Sequence, residues 1–168
     1  MKLLPLDSPD LIRLVADWMS RQENYQWLDF GNGRQVLTPE WLKISTQRDT
    51  EVLRAFTPED GDAPVGIVGL TNVDRVFKTA RIWVVAGDKS FRARGLATRA
   101  ASMLLTHAFR DLGMQAINTW IVEHNQSVRI ARRLNFTLIG RQRRCHVIDG
   151  QACDRLWFDL LAAEHREI

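Results

Sequence analysis

Residues 90–100 read SFRARGLATRA: three arginines, Arg92, Arg94 and Arg99, crowd one glycine, Gly95. The stretch lies between two segments of opposite character. Upstream, TARIWVVA (79–86) is nearly continuous in apolar residues, which predicts a central strand covered on both faces. Downstream, Leu96, Ala97, Ala100, Ala101, Leu104, Leu105, Ala108 and Leu112 recur at helical spacing, and Gly113 is placed to end that helix. A strand, a turn and a long helix are therefore expected in that order. A helix N-terminus offers unpaired N–H groups and the positive end of the peptide dipoles. Glycine lets backbone approach a ligand with no side chain between them. Arg92-x-x-Gly95-x-Ala97 thus reads as a seat for phosphate, with the N–H groups of Leu96, Ala97 and Thr98 behind it. It is neither GxxxxGK[ST] nor GxGxxG, and it suits a pyrophosphate such as that of coenzyme A.

The flanks extend this unit. Residues 2–6 (KLLPL) read as a short strand, and Ser8-Pro9 then starts a helix with Leu11, Leu14, Val15 and Trp18 on one face. Residues 24–37, with Gly31-Asn32-Gly33, read as a loop, and Thr38-Pro39 starts a second helix through Trp41, Leu42 and Ile44. Strands are expected over 51–58 and over 65–73, the latter lightened by Gly66 and Gly69. After the long helix come a strand (114–123), a short helix (125–134) and two strands flanking Asp149-Gly150, a strong hairpin signal. With seven strands in this order, the chain is expected to be α/β, a mixed central sheet with helices on both faces, in one domain spanning 1–168.

Composition narrows the function classes. The chain has 168 residues, 45% of them apolar and 26% charged, with a net charge of +3. That excludes a disordered chain and falls short of a dedicated DNA-binding domain. Pro5, Asp7 and Asp10 interrupt the apolar start, so neither a signal peptide nor a membrane span is read, and a cytoplasmic protein is expected. Cys145 and Cys153 fit no CxxC or Cys/His spacing and are expected as reduced thiols. The four histidines are scattered, and no metal is expected.

Arg92-Ala93-Arg94-Gly95-Leu96-Ala97 resembles the R/Q-x-x-G-x-G/A signature of the GNAT superfamily of N-acetyltransferases. The strand ending VEHNQS, the short helix ending ARRLNF and the closing hairpin GRQRRCHVIDGQACDRLWFDLL resemble the branch that holds the ribosomal-protein N-terminal acetyltransferases. The resemblance implies the GNAT fold, acetyl-CoA as cosubstrate and a primary amine as acceptor, either a protein N-terminus or a small molecule. It implies direct attack in a ternary complex and no membrane or DNA partner, and it is compatible with a homodimer. A nucleotide-linked amino sugar is the alternative acceptor, and a non-catalytic acetyl-CoA sensor the alternative role. A nucleic-acid module would explain the arginines but not the turn-and-helix signature. The chain departs from the family pattern at Ala131, where other branches carry a tyrosine acid, and at Ala80-Arg81-Ile82, where a strand glutamate base is common.

The resemblance also assigns residues. Backbone groups of Val84, Val85 and Ala86 are expected to pair with the pantetheine amides as an added strand. Arg92, Arg94, Gly95, Leu96, Ala97 and Thr98 are expected at the pyrophosphate, with Asn125 beside the cofactor and Arg132 at the 3′-phosphate. Ser127 is the candidate to stabilise the leaving thiolate; the competing reading is a helix cap. Asp154 is the candidate to orient or deprotonate the amine, or else pairs with an arginine; Glu123 and His124 are the other candidate bases. Arg141, Arg143 and Arg144 are expected to alternate faces on a hairpin that sets position 145 opposite about 154. Trp18, Trp27 and Trp41 are either core or part of an acceptor wall.

Overall fold

A computed structural model describes residues 1–30 and 38–168, and only the backbone at Arg92 and Ala93. The glycine-rich part of the expected 24–37 loop, including Gly31-Asn32-Gly33, lies outside the described residues. The strands are β1 (Leu3–Pro5), β2 (Val52–Phe56), β3 (Gly66–Asp74), β4 (Thr79–Ala86), β5 (Ala116–Val122), β6 (Thr137–Ile148) and β7 (Gln151–Leu161). The α-helices are α1 (Pro9–Ser20), α2 (Gln22–Tyr25), α3 (Pro39–Ser45), α4 (Leu96–Arg110) and α5 (Ser127–Arg133). Both predicted helix starts are found, with Ser8 Oγ accepting from Leu11 N–H and Thr38 Oγ1 from Trp41 N–H. The helical turn α2 replaces part of the expected loop.

The seven strands form one mixed sheet in the order β1-β2-β3-β4-β5-β7-β6, with β4 at its centre. Side chains alternate along β4, and so it feeds two cores. Ala80 and Ile82 pack with Val68, Leu70, Ile117 and the α4 face of Leu96, Ala100, Ala101, Leu104, Leu105 and Ala108. Val85 packs on the opposite face with Ile67, Val15, Met19 and Leu42, and the half-buried Trp83 packs against that cluster. The expectation of a central strand covered on both faces is met. Gly69 is explained here: a Cβ would stand 2.6 Å from Cζ2 of Trp83, whose ring lies across it.

β4 and β5 are parallel neighbours, yet they pair only at Thr79↔Ala116, Ala80↔Ile117 and Arg81↔Asn118. Beyond that point β4 stays paired with β3 through Ala86, and β5 stays paired with β7 through Val122. The sheet therefore splits at its centre, toward the C-terminal ends of both strands.

The closing hairpin turns at Asp149 (φ 49°) and Gly150 (φ 78°), a type I′ geometry. Its register departs from the expected one. His146↔Cys153 follows the expected count, but Gln142↔Arg155 does not, because a bulge over 143–145 intervenes. Arg144 sits there at φ 51° and donates its N–H to Asp154 Oδ1 at 2.8 Å. Position 145 is thus not paired with 154, and the simple alternation expected for Arg141, Arg143 and Arg144 is broken.

Candidate active site

The split opens a cleft of about 640 Å³ between the two central strands. Residues 82–86 of β4 and Thr119, Trp120, Ile121 and Val122 of β5 form its walls, and the start of α4 forms one end. Which backbone groups face it follows from strand alternation. Gly87 N–H donates to the Val65 carbonyl at 3.0 Å, so Gly87 bonds toward β3. Val85 and Trp83, two and four residues earlier, do the same, while Val84 and Ala86 turn their N–H and C=O groups toward the cleft. Of the three backbone contacts expected from the resemblance, Val85 is therefore corrected: it lines the cleft, but its peptide groups belong to β3. The Ala86 carbonyl is also engaged, accepting from Lys89 Nζ at 2.7 Å. The same ammonium donates to Asn24 Oδ1 and lies 3.9 Å from Glu23.

At one end of the cleft, Asp88 Oδ1 accepts from Ser90 N–H and starts a 3₁₀ turn over Lys89–Arg94. Gly95 follows at φ 72°, in the left-handed region, and α4 begins at Leu96. A Cβ on Gly95 would meet no protein atom within 4 Å, so the glycine serves the backbone angle and an open space in front of it. Gly95, Leu96, Ala97 and Thr98 all line the cleft, and the N–H groups in the first turn of a helix have no intrahelical acceptor. Arg94 is half-exposed, 2.9 Å from Asp60 and over the Phe91 ring; Arg99 pairs with Glu59. Arg132 is exposed on α5 and is not among the residues that line the cleft.

At the other end, aromatic groups gather from distant parts of the chain. Trp27 stands edge-on to His124, with ring centroids 5.4 Å apart. Trp83 and Trp120 line the same space with Gln26 and Leu28. Of the three tryptophans considered from the sequence, Trp27 reaches the cleft. Trp18 is buried in the α1 core, and Trp41 packs on Phe30. Trp83 and Trp120 were not singled out by sequence reasoning, although strand alternation could have placed Trp83 opposite Ile82.

The catalytic candidates separate. Ser127 and His124 line the cleft; Glu123 and Asp154 do not. Asn125 Oδ1 accepts the Ser127 N–H at 2.8 Å, so Asn125 makes the turn that starts α5 and the Ser127 hydroxyl is not its cap. Arg141 Nη1 bridges Glu123 at 2.8 Å and Asp154 at 3.0 Å. The Arg144 N–H, and then the Arg141 guanidinium, hold the Asp154 carboxyl below the usual carboxylate range. A group so stabilised as an anion is a poor base, and the pairing reading of Asp154 fits this geometry better than the base reading.

A strand split at the sheet centre, a phosphate-type turn at one end and an aromatic end bearing a histidine and a serine define a cleft for two substrates, one of them anionic and extended. The sequence matches the Acetyltransferase (GNAT) domain family over residues 1–137, and the chain belongs to that family. It is an acetyl-CoA-dependent N-acetyltransferase. It is similar to YdaF of Bacillus subtilis (strain 168), which bears the name of a ribosomal N-acetyltransferase, with 26% identity over 96% of this chain and 90% of that one. Its fold is that of the spermidine N-acetyltransferase of Vibrio cholerae solved with CoA and spermine (TM-score 0.85, 15% identity, 97% and 96% of the two chains). It is also that of the ribosomal L7/L12 α-N-protein acetyltransferase RimL solved with coenzyme A (TM-score 0.79, 20% identity, 95% and 92%). Among the described residues no helix is long and apolar enough to cross a membrane, and no group of three or more His, Cys, Asp or Glu is placed to hold a metal.

Proposed function

We propose that the whole chain, 1–168, is one domain that acetylates the α-amino group of a protein N-terminus. The observation that carries the reading is the split between β4 and β5, with cleft-facing backbone on one wall and aromatic rings at the far end. The cofactor fits what is present: the N–H groups of Val84 and Ala86 face the cleft beyond the last β4–β5 pair, and Gly95 leaves open space before the α4 donors. Val84 and Ala86 hold the pantetheine arm as an added strand, and Gly95, Leu96, Ala97 and Thr98 hold the pyrophosphate with Arg92 and Arg94 nearby. Bound acetyl-CoA supplies an acetyl thioester, an activated acyl group. The Ser127 hydroxyl donates a hydrogen bond to the departing sulfur. His124, beside Trp27, takes the proton that the attacking amine must lose. Holding both reactants in one cleft accounts for much of the acceleration.

A protein N-terminus is favoured over a polyamine by the charges that line the cleft. Among the described residues, Glu23 and Asp88 are the carboxylates in the lining, and both are engaged, Glu23 beside Lys89 and Asp88 by Ser90. A polycation would need free carboxylates along its path. The similarity to YdaF, which runs along nearly the whole chain, points the same way, whereas that to the spermidine N(1)-acetyltransferase of Escherichia coli (strain K12) covers 58% of it. The test is thiol release from acetyl-CoA with peptides starting in Ala or Ser, with spermidine and with a nucleotide-linked amino sugar. Turnover of the peptides is expected. Turnover of spermidine alone would overturn the acceptor class, and tight acetyl-CoA binding with no turnover would leave a sensor.

A further inference from the structure

His146 lies on β6 just past the bulge and is only 7% exposed, yet it is outside the cleft lining. Both ring nitrogens are engaged. Nε2 lies 2.6 Å from the Gln26 carbonyl, which can only accept, so Nε2 carries the proton. Nδ1 lies 2.9 Å from Arg155 Nη2 and 3.2 Å from Nε, which can only donate, so Nδ1 is the bare acceptor. Arg155 is 14% exposed, reaches Asp29 at 3.5 Å and lies 3.7 Å over the ring of Trp120. His146 itself packs against that indole at 5.6 Å. Gln26, Trp27, Leu28 and Trp120 all line the aromatic end of the cleft. One imidazole, 120 residues along the chain from Gln26, therefore joins two walls of that end, residues 26–28 and Trp120.

We propose that His146 is a positioning residue for the acceptor: neutral, with its proton on Nε2, it clamps residues 26–29 to Arg155 and, through Arg155, to Trp120. This rests on the reading of the aromatic end as the acceptor end. A second proton on Nδ1 would set a donor and a positive charge against the Arg155 guanidinium, and the contact would break. The charged and titratable groups that face His146 are Arg155 from β7, Asp29 from the segment after α2 and His124 from the end of β5. Asp29 favours the protonated ring and the two others oppose it. Burial is the largest effect and pushes the imidazole below its ordinary value, so the clamp holds at neutral pH. For a group with a lowered folded value, the stabilisation is present above the unfolded value, near 6.5, and is lost as pH falls through the folded one.

The test uses the full chain with His146→Ala and His146→Gln. Glutamine keeps one donor and one acceptor but does not titrate. Hydrogen–deuterium exchange of residues 22–30, taken relative to the intrinsic amide rate at each pH, should rise in His146→Ala, and in the wild type on acidification from pH 8 to about 5, but not on acidification of His146→Gln. With an alanyl or seryl peptide as acceptor, KM should rise about tenfold in His146→Ala while the acetyl-CoA Kd changes less than about twofold. Exchange that is unaltered by substitution and by acid overturns the clamp. Exchange that rises while acetyl-CoA affinity falls and peptide KM holds keeps the clamp but overturns the acceptor assignment of that end. If His146→Ala does not fold, the acid series on the wild type and on His146→Gln decides between the same outcomes.

Discussion

The two ends of the cleft are built on different length scales. The cofactor end comes from one run of chain, residues 84–98, in which strand, turn and helix start follow one another. The acceptor end is gathered from Gln26 and Trp27 after α2, Trp83 on β4, and Trp120 and His124 on and just after β5, with His146 and Arg155 of the hairpin bracing it. A site made from one run is stiffened by its own backbone: the 3₁₀ turn, the left-handed Gly95 and the first turn of α4. A site gathered from afar depends on side-chain contacts between elements. Substitutions at the first end should therefore act on acetyl-CoA alone, and those at the second on the acceptor alone.

The largest expected effect is at Gly95. Gly95→Val places a β-branched residue at a left-handed angle and fills the open space before the α4 donors. Acetyl-CoA affinity should fall by at least about 100-fold, roughly 2.7 kcal/mol, in calorimetry on the folded variant, while any residual turnover keeps the acceptor KM of the wild type. An equal loss on both substrates would break the division between the two ends.

Next come Ser127 and His124, the two catalytic candidates that line the cleft. Ser127→Ala should lower kcat by up to about 10²-fold with acetyl-CoA affinity unchanged. Because Asn125 makes the turn that starts α5, the melting temperature should hold, which separates catalysis from capping. His124→Gln should lower kcat by a similar factor. Asp154→Asn should leave kcat in place, since Asp154 is held as an anion by Arg144 and Arg141 and lies outside the cleft lining. What it should change is stability. The carboxyl is lowered in the folded state, so its contribution is present above the unfolded value and lost as pH falls through the folded one. Melts of wild type and Asp154→Asn should differ at neutral pH and converge in acid.

The smallest effect is expected at Arg94. Its partner Asp60 is exposed, and surface pairs are worth about 0–1 kcal/mol. Arg94→Gln should leave the melting temperature nearly unchanged and weaken acetyl-CoA binding a few-fold at low salt, an effect that fades as salt rises.

The same contrast explains what the sequence could reveal. The 92–97 signature, the α4 periodicity, the apolar run of β4 and the Asp149-Gly150 turn are local patterns, and each is found where it was expected. The β4–β5 split is not local. It is a missing pairing between strands about 35 residues apart, which no window of sequence encodes. The bulge over 143–145 carries no glycine or proline to announce it, and it shifts the register that Asp154 would otherwise have. Lys89, Trp120, His146 and Arg155 each look like ordinary strand or turn residues, and only the assembled sheet sets them around the cleft. His124 and Ser127 are legible because they sit at the end of a strand beside the signature, where short-range reading still reaches.

The central claim is that β4 beyond its last pair with β5 takes the cofactor as an added strand. Residue-resolved amide exchange, with and without acetyl-CoA, tests it most directly. The Val84 and Ala86 amides face the cleft, whereas the Trp83 and Val85 amides are bonded to β3 in either state. Binding should slow exchange at Val84, at Ala86 or at both, and leave Trp83 and Val85 as they were. Saturating acetyl-CoA with no change at either Val84 or Ala86 would contradict the account.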